Sequence, residues 1–579
     1  MVSIKHQLGA RVHNDTVVFD VWAPFASAVS LQIDDNGEHK TVPMTSNNEG
    51  YYHLTTNAIH VGQNYRYLIT AQDGTQLERN DPYARRLTSS SGGWSVVVED
   101  TFDWTDSSFT PGPLKNQVIY ELHVGTFNRF DPATPGTFDT VIEKMDYLQN
   151  LGITAIELLP VTSMMDDTGW GYAPTHLFSI ENAYGGRYEL MRLVNEAHAR
   201  GMAVIIDIVY NHLAPENNLL RFDGWHEGDY AGIYFYNDER GKTPWGDRPD
   251  YGRPEVRKYL LDNITMWFQE FHIDGLRLDA TYYIDKLRDA SGRELLDIPD
   301  GYSLMQEMTK LARSLKPSAY MIAEDSGYND DATAEHGLGF TAQWATRYPS
   351  YLRTALGIDT DQNLDTFIGE LQRYFNDQAF QKIIYSDSHD SAANGHQRLN
   401  AEAGGESKSA RQKALIASTV AFTAPGIPMI LQGEEFLEDG YFNGWKAMDW
   451  HQLEEHPGIT TAHRDLIRLR KELAGLSSEG FQLFHVNYND AVLGYARWSA
   501  DNSDDALIII NFGEKSFDAY EIVMPKDGEW DVVFNSTAKA YGSDLSESPA
   551  KSLTTTTQGI TAIKLDGYQT LIYRRRISN

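Results

Sequence analysis

Polar residues that could carry acid–base chemistry follow several apolar stretches of the chain. They lie in the segments DIVYNH (207–212), GLRLDA (275–280), AED (323–325) and SHD (388–390), and they comprise Asp207, His212, Arg277, Asp279, Glu324, His389 and Asp390. Arg277 and Asp279 are two residues apart, so on a strand both side chains point the same way. A guanidinium favours the ionised form of a nearby carboxylate, whereas burial raises a carboxyl pKa. Such a set can therefore hold an anionic attacker and a proton donor at one pH.

The repetition of carboxylates argues for a reactive site rather than separate ion pairs. A single Asp or Glu at a strand end is more often a helix cap or a salt-bridge partner. Three strands that each end in a carboxylate, however, bring like charges together, which is unfavourable unless chemistry uses them. The chain has no HExxH and no His-x-His pair, which disfavours a zinc-protease or dinuclear metal site. Carboxylates without metal spacing suit glycosidic bond cleavage, which needs one proton donor and one attacking or water-activating carboxylate.

Eight apolar runs of strand length between about 116 and 470 are the elements that must position these residues. The runs are VIYELHV, TAIELLPV, AVIIDIVYNH, DGLRLDA, AYMIAED, FTAQW, IIYSDSHD and IPMILQGEE. Helical stretches separate them, which predicts an α/β fold with a closed parallel (β/α)₈ TIM barrel over residues 116–472. The carboxyl ends of all barrel strands share one face, so we expect the polar residues to meet in one pocket.

The two flanking regions have the texture of antiparallel β-structure. Short strand-like runs such as TVVFDVWAP and NYRYLIT alternate with turn signals at the start of the chain. The runs AVLGYARW, ALIIINFG and WDVVFNS follow the same pattern near its end. We therefore predict an N-terminal β-sandwich over 1–105 and a C-terminal antiparallel β-sandwich over 478–579.

Composition excludes several classes of partner. The 579-residue chain has 49 Lys plus Arg against 81 Asp plus Glu, a formal net charge of -32, which disfavours nucleic acid and anionic membrane surfaces. It has no cysteine, and we found neither a secretory signal nor 18 consecutive apolar residues. A soluble, cytoplasmic protein is the expectation. Aromatic residues make up 12% of the chain, and rings beside carboxylates and amides suit sugar ligands.

The four polar segments, taken in order, resemble the four conserved regions of the α-amylase superfamily, glycoside hydrolase family 13. WGYAPTHLFSIENAYGG (170–186) and GIPMILQGEEF (426–436) are similar to supporting motifs of that family. VFDVWAP also resembles its N-terminal carbohydrate-binding module of family 48. The resemblance covers nearly the whole chain, and it implies the three-module architecture predicted above.

The resemblance implies a role for each residue that matches a family motif. Asp279 corresponds to the nucleophile, Glu324 to the general acid/base and Asp390 to a residue that binds hydroxyls of the distorted sugar. Substrate binding is implied for Arg277, His389, His212, Asp207 and Tyr172, with Tyr172 stacking beneath the reacting glucose. Retention is the implied outcome, with the carboxyl groups roughly 5–5.5 Å apart. No metal or cofactor is required, although Asn211 resembles a calcium ligand of some members.

Within this family the sequence favours a glucan branching enzyme acting on α-1,4-glucan. The N-terminal module, SHD in the fourth region and the segment YFYNDERGKTPWGDRPDYGRPEVRKYLLDN support that assignment. The alternatives are a malto-oligosyltrehalose trehalohydrolase, which AEDSGYNDD and WGDRPDYG resemble, and an α-amylase-type hydrolase. A noncatalytic glucan-binding protein is a further alternative, but it gives no reason to keep mutually repelling carboxylates.

A long aromatic connection after the third predicted strand is a candidate wall for a sugar acceptor. Transfer to a sugar requires that its hydroxyl outcompete water, and aromatic walls help to exclude water. The connection contains Trp225, Tyr230, Tyr234, Phe235, Tyr236 and Trp245. We expect half or more of these rings to pack the connection against the barrel instead, and Trp22 of the N-terminal module to be core.

Overall fold

The computed structural model describes residues 7–576 apart from 48, 91, 100, 167–168, 290, 359–360, 502, 546–550 and 557–558. Its first part is a module of two facing antiparallel sheets. Its strands are β1 (Gly9–His13), β2 (Thr16–Trp22), β3 (Ala28–Asp35), β4 (Glu38–Pro43), β5 (Thr45–Ser46), β6 (Tyr51–Thr56), β7 (Asn64–Thr70), β8 (Gln76–Arg79) and β9 (Ser95–Val96). One sheet has the order β1-β2-β6-β5, and the other has the order β4-β3-β7-β8 with β9 beside β7. Along β7, Tyr65, Tyr67 and Ile69 are buried at every second position, as a half-buried strand requires.

The central part is the predicted closed barrel of eight parallel strands. The strands of this part are β10 (Ile119–Leu122), β11 (Ala155–Leu158), β12 (Thr162–Met164), β13 (Pro174–Ile180), β14 (Ala203–Ile208), β15 (Gly275–Leu278), β16 (Lys286–Arg288), β17 (Glu294–Asp297), β18 (Tyr320–Ala323), β19 (Ala342–Trp344), β20 (Lys382–Ile384) and β21 (Ile427–Leu431). The barrel order is β10-β11-β14-β15-β18-β19-β20-β21, while β12-β13 and β16-β17 are hairpins outside it. Every barrel strand is buried along its whole length, because helices cover the outside and side chains fill the inside.

Helices form the outer layer and lie between successive barrel strands, except between β18 and β19, where the connection contains only the 3-10 turn Asp330–Ala332. They are α1 (Val124–Phe127), α2 (Phe138–Ile142), α3 (Met145–Leu151), α4 (Arg187–Ala199), α5 (Pro254–Gln269), α6 (Pro299–Leu315), α7 (Tyr348–Ala355), α8 (Asp365–Gln372), α9 (Leu399–Glu402), α10 (Lys408–Thr423), α11 (Gln452–Glu455) and α12 (Pro457–Glu472). α5, α6 and α12 each begin with proline, whose missing N–H is not needed in a first turn. No helix in the described part of the chain is long and apolar enough to cross a membrane.

The last part is again all β. Its strands are β22 (Gly480–Asn487), β23 (Val492–Trp498), β24 (Asp505–Asn511), β25 (Phe517–Val523), β26 (Gly528–Asn535), β27 (Leu553–Thr555), β28 (Ile560–Leu565) and β29 (Gln569–Arg575). Six form one sheet, β22-β23-β24-β29-β26-β27, and β25 pairs with β28. These two layers enclose a core that includes Trp530, Leu571 and Ile563, which agrees with the predicted sandwich. The module boundaries at 105, 116, 472 and 478 stay predictions.

Two rings of the aromatic connection after β14 pack against the N-terminal module. Trp225 stacks on Phe25 with ring centroids 4.7 Å apart, and Tyr234 meets the edge of buried Trp22 at 5.6 Å. Tyr234, Phe235 and Tyr236 are buried. Half of the six rings are therefore core, as expected, but Trp225 and Tyr234 contact the N-terminal module, which the sequence did not predict. Trp245, 44% exposed, is the ring of this connection left as a candidate for the acceptor wall.

Candidate active site

The barrel ladder carries the reactive side chains to the carboxyl ends of neighbouring strands. Asp207 on β14 pairs in register with Arg277 on β15. The ladder continues one residue beyond β15 and β18, because Asp279 N donates to Ile208 O at 3.0 Å and Glu324 N donates to Leu278 O at 3.0 Å. Backbone hydrogen bonds therefore hold Asp279 and Glu324 at adjacent strand ends.

Arg277 is the centre of the charge network. Its guanidinium is fully buried, and its Nη1 donates to Asp207 Oδ2 at 2.7 Å and to Asp279 Oδ1 at 3.1 Å. Its Nη2 lies 3.0 Å from Glu324 Oε2. The indole ring of Trp344 lies under the guanidinium, with Cζ 4.3 Å from the ring centroid. One cation thus contacts three carboxylates, which allows them to sit close together.

Both oxygens of Asp279 are held by donors. Arg277 holds Oδ1, and Asn211 Nδ2 donates to Oδ2 at 2.7 Å and to the Asp279 carbonyl at 2.9 Å. Asn211, which the resemblance suggested as a calcium ligand, thus directs its amide nitrogen at the candidate nucleophile. Among the described residues no group of three or more His, Asp or Glu is arranged to hold a metal ion.

Glu324 is a buried carboxyl group suited to donate a proton. Burial raises its pKa to about 8; Arg277 opposes the shift, while the negative charges of Asp279 and Asp390 support it. The residue after Asp279, Ala280, has a left-handed backbone with φ 41° and ψ 53°, a conformation unfavourable for a residue with a Cβ. In this conformation Ala280 N donates to Glu324 Oε2 at 2.8 Å. Local strain therefore coincides with the hydrogen bond that orients the proton donor.

His389 is fixed from two sides. Its Nδ1 donates to Glu121 Oε1 at 2.5 Å and its backbone N to Glu121 Oε2 at 3.0 Å. Its Nε2 lies 3.6 Å from Asp390 Oδ2. Burial by itself lowers the pKa of His389, but Asp390 and Glu121 raise it to about 9, so the imidazole is cationic at neutral pH.

Tyr172 joins Asp207 to the histidines. Its hydroxyl donates to Asp207 Oδ2 at 2.5 Å, and its ring stacks on His389 at 5.1 Å with an interplanar angle of 19°. Its carbonyl lies 2.9 Å from His212 Nε2, and burial lowers the pKa of His212. Burial raises the pKa of Asp207 to about 7, with Arg277 opposing that shift. Tyr172 is thus part of the polar network as well as a ring surface.

Asp390 is the most exposed of the three candidate catalytic carboxylates. Its side chain is 46% exposed, against 15% for Asp279 and 11% for Glu324. Its Oδ1 accepts a hydrogen bond from Asn394 Nδ2 at 3.2 Å. The most exposed of the three carboxylates is the one most accessible to the hydroxyls of a bound sugar.

All eight residues predicted from the sequence belong to one connected set, and the structure adds three others. The additions are Glu121, Asn211 as a donor to Asp279, and Trp344 beneath Arg277. Glu121 carried a signal, because a carboxylate inside the apolar run VIYELHV needs a buried partner. Trp344 carried none, since an indole in a short strand is ordinary core. The set can hold an anionic nucleophile, a protonated donor and a hydroxyl-binding carboxylate together.

Comparison with known families matches all three modules. The alpha amylase catalytic domain matches residues 121–250 and 225–470, carbohydrate-binding module 48 (isoamylase N-terminal domain) matches 7–84, and the alpha amylase C-terminal all-beta domain matches 485–576. Among solved structures, pullulanase type I from Bacillus subtilis str. 168, complexed with maltose, superposes with a TM-score of 0.79 at 22% identity, covering 98% of this chain and 85% of that one. That likeness confirms the fold.

Two relatives match most of the chain. A malto-oligosyltrehalose trehalohydrolase of Saccharolobus solfataricus is 32% identical over 466 residues, 75% of this chain and 76% of the relative. A 1,4-alpha-glucan branching enzyme of Corynebacterium jeikeium is 31% identical over 582 residues, 92% of this chain and 78% of the relative. These matches confirm the resemblance seen in the sequence: the chain is an enzyme that belongs to the alpha-amylase superfamily, glycoside hydrolase family 13.

Proposed function

We propose that the protein is a retaining 1,4-α-glucan branching enzyme, which cleaves an α-1,4 bond and transfers the chain to form an α-1,6 branch. The observation that supports glycosidic bond cleavage is the guanidinium of Arg277, which contacts both Asp279 and Glu324; the choice of branching rests on the relatives discussed below. A nucleophile and a proton donor must lie on either side of one glycosidic bond, and a shared cation keeps them adjacent. Opposite protonation states suit their two tasks.

In the first step Asp279 attacks the anomeric carbon while Glu324 gives its proton to the leaving glycosidic oxygen. A glycosyl-enzyme ester forms at Asp279, and the reducing-end fragment leaves with the proton of Glu324. Asp390 binds hydroxyls of the distorted sugar, and Tyr172 lies beneath it. Donors to both oxygens of Asp279 hold it in the attacking orientation.

In the second step Glu324, now anionic, takes the proton of the 6-hydroxyl of an acceptor glucan. The resulting oxygen attacks the anomeric carbon and displaces Asp279, so two inversions give net retention. Trp245 is the acceptor-side ring in this proposal: it is 44% exposed and lies 5.6 Å from the ring of His212. Neither step needs a metal or an organic cofactor.

Coverage of the chain favours branching over trehalose release. The branching-enzyme match runs over 92% of this chain, whereas the trehalohydrolase match runs over 75%. The trehalohydrolase remains a second candidate because its identity is equally high. Within this proposal the partner is α-1,4-glucan, and the absence of cysteine is consistent with a cytoplasmic setting.

Product analysis tests the proposal directly. Purified protein is incubated with amylose, and iodine colour, new reducing ends and the α-1,6 anomeric proton signal are followed together. Branching lowers iodine colour and builds α-1,6 signal with few new reducing ends. Reducing ends formed in step with colour loss would assign a hydrolase, and trehalose freed from maltooligosyltrehalose would assign the second candidate.

The variant Asp279→Asn separates an enzyme from a binding protein. It removes the nucleophilic charge but keeps the hydrogen-bonding shape, so we expect turnover to disappear while glucan binding remains. Asp297→Asn is the matched control, since Asp297 sits on the peripheral hairpin strand β17 and is 74% exposed. An unchanged rate in Asp279→Asn would reject the assigned nucleophile.

A further inference from the structure

The connection after β21 presents two large rings to solvent beside the barrel mouth. Tyr441 is 60% exposed and Trp445 is 63% exposed. Both line a surface depression of about 460 Å³ together with Asp439, Asn443 and Lys446. Exposed rings grouped around one depression and edged by polar side chains are typical of a binding surface.

Hydrogen bonds shape this connection before any ligand arrives. Asn443 Oδ1 accepts from the backbone N of Trp445 at 2.9 Å and of Lys446 at 2.6 Å. Lys446 Nζ donates to Glu438 Oε1 and to Asp439 O, both at 2.9 Å. The backbone that carries the two rings is therefore pre-organised, which reduces the entropy lost on binding.

The same connection also reaches the candidate active site. Phe442, which lies between the two exposed rings in sequence, is buried. Its ring centroid lies 5.6 Å from that of Trp170 and 6.4 Å from that of His389. Its backbone N donates to Ala392 O at 2.7 Å, two residues after Asp390. Three residues of chain span at most about 11 Å, so Trp445 and the depression lie close to the candidate active site.

We propose that the depression flanked by Tyr441 and Trp445 is a glucan-binding platform that holds a linear α-1,4-linked segment a few sugar units from the reacting glucose. Flat aromatic faces stack on the apolar faces of pyranose rings, and Asp439, Asn443 and Lys446 supply acceptors and donors for hydroxyls. This assignment rests on the proposed function, because the α-1,4-glucan ligand of the platform is the substrate proposed above. It adds a site at which long chains are distinguished from short ones.

Binding without turnover tests this platform. The parent is full-length protein carrying Asp279→Asn, and calorimetry measures its Kd for maltotriose and for a long linear maltooligosaccharide. We expect Trp445→Ala and Tyr441→Ala each to weaken binding of the long chain roughly tenfold, as for loss of a ring at the centre of a contact. Binding of maltotriose should weaken less than binding of the long chain, because maltotriose can occupy the catalytic pocket without also covering the platform.

Two further variants keep the result interpretable. Trp445→Phe retains a flat ring and should restore most of the affinity for the long chain. Tyr488→Ala removes a ring that is 58% exposed in the C-terminal module, and it should leave the Kd for both oligosaccharides unchanged. An equal Kd for the long chain with and without Trp445 would overturn the platform. A second outcome would also overturn it. If Trp445→Ala abolished self-association in sedimentation but left the affinity for glucan intact, the two rings would belong to a contact between protein molecules. Absence of glucan binding in the parent itself would reject the proposed function instead.

Discussion

Nη2 of Arg277 lies 3.0 Å from Oε2 of Glu324, while Nη1 of the same guanidinium donates to Asp279 at 3.1 Å. The two carboxyl groups share one cation but require opposite protonation states. At Glu324 burial and the charges of Asp279 and Asp390 outweigh the cation, so its pKa rises to about 8. At Asp279 a second donor, Asn211, engages the other oxygen at 2.7 Å, a contact that Glu324 lacks among the described residues. The environment of each carboxyl group, rather than its distance from Arg277, separates the roles.

The raised pKa of Glu324 predicts a basic limit to activity. Because the donor must be protonated in the free enzyme, kcat/KM should fall as pH increases through about 8. Glu324→Gln should lower kcat on a glucan roughly 10²- to 10⁴-fold, the usual contribution of general acid catalysis. A maltosyl fluoride donor, whose leaving group needs no proton, should recover much of the first step in that variant. Equal losses on glucan and fluoride would contradict the assigned role.

Arg277→Lys should lower kcat strongly although it preserves the charge. A single ammonium cannot reproduce the contacts that one planar guanidinium makes with Asp207, Asp279 and Glu324. We expect a loss of roughly 10²- to 10³-fold, comparable to removing one preorganised electrostatic contact. Arg293→Lys, at an exposed pair with Asp289, is the matched control. Steady-state rates on amylose near the parent value would show that the charge alone suffices.

Glu121→Gln should lower the pKa of His389. Burial lowers the pKa of His389, and the charges of Asp390 and Glu121 raise it. With the charge of Glu121 removed, the imidazole should titrate below about 9. Nitrogen-15 spectra of histidine-labelled protein can follow this titration, with His463 as an internal reference because burial lowers its pKa to about 4 and it contacts Ser418 instead. An unchanged His389 titration in the variant would show that Asp390 alone sets its charge.

Glu157→Gln should stabilise the protein at alkaline pH. Glu157 is buried on β11, neither of its carboxyl oxygens has a hydrogen-bond partner among the described residues, and burial, Glu121 and Asp207 all raise its pKa well above 4.5. The folded state then holds a proton that the unfolded state releases above pH 4.5, so this residue's contribution to stability falls as pH rises.

The glutamine variant lacks that titration. Its Tm should match the parent near pH 4.5 and exceed it by a few degrees at pH 8, as scanning calorimetry can measure. Glu294→Gln, on an exposed hairpin strand, should show no such pH-dependent difference. If the Tm of the variant were lower than that of the parent by the same amount at both pH values, Glu157 would stabilise the fold through packing that glutamine cannot reproduce.

The sequence alone predicted the barrel and eight members of its reactive set. Apolar runs alternating with helical stretches predict a parallel sheet. Because all strands of such a barrel run in the same direction, their carboxyl ends lie on one face. Asp207, Arg277, Asp279 and Glu324 stand at or just beyond those ends, so local spacing was enough to predict that they meet. Even the short strand Ala342–Trp344 follows from this periodic pattern.

Tertiary structure decided which rings and buried charges serve the site. Glu121 and His389 are 268 residues apart in sequence and meet only because the barrel closes. Tyr234 and Trp445 are both aromatic residues in long connections, yet Tyr234 is buried under the N-terminal module while Trp445 faces solvent. Residue type and periodicity report whether a side chain prefers burial. Which surface finally covers it depends on contacts between modules, and these have no local signature in the chain.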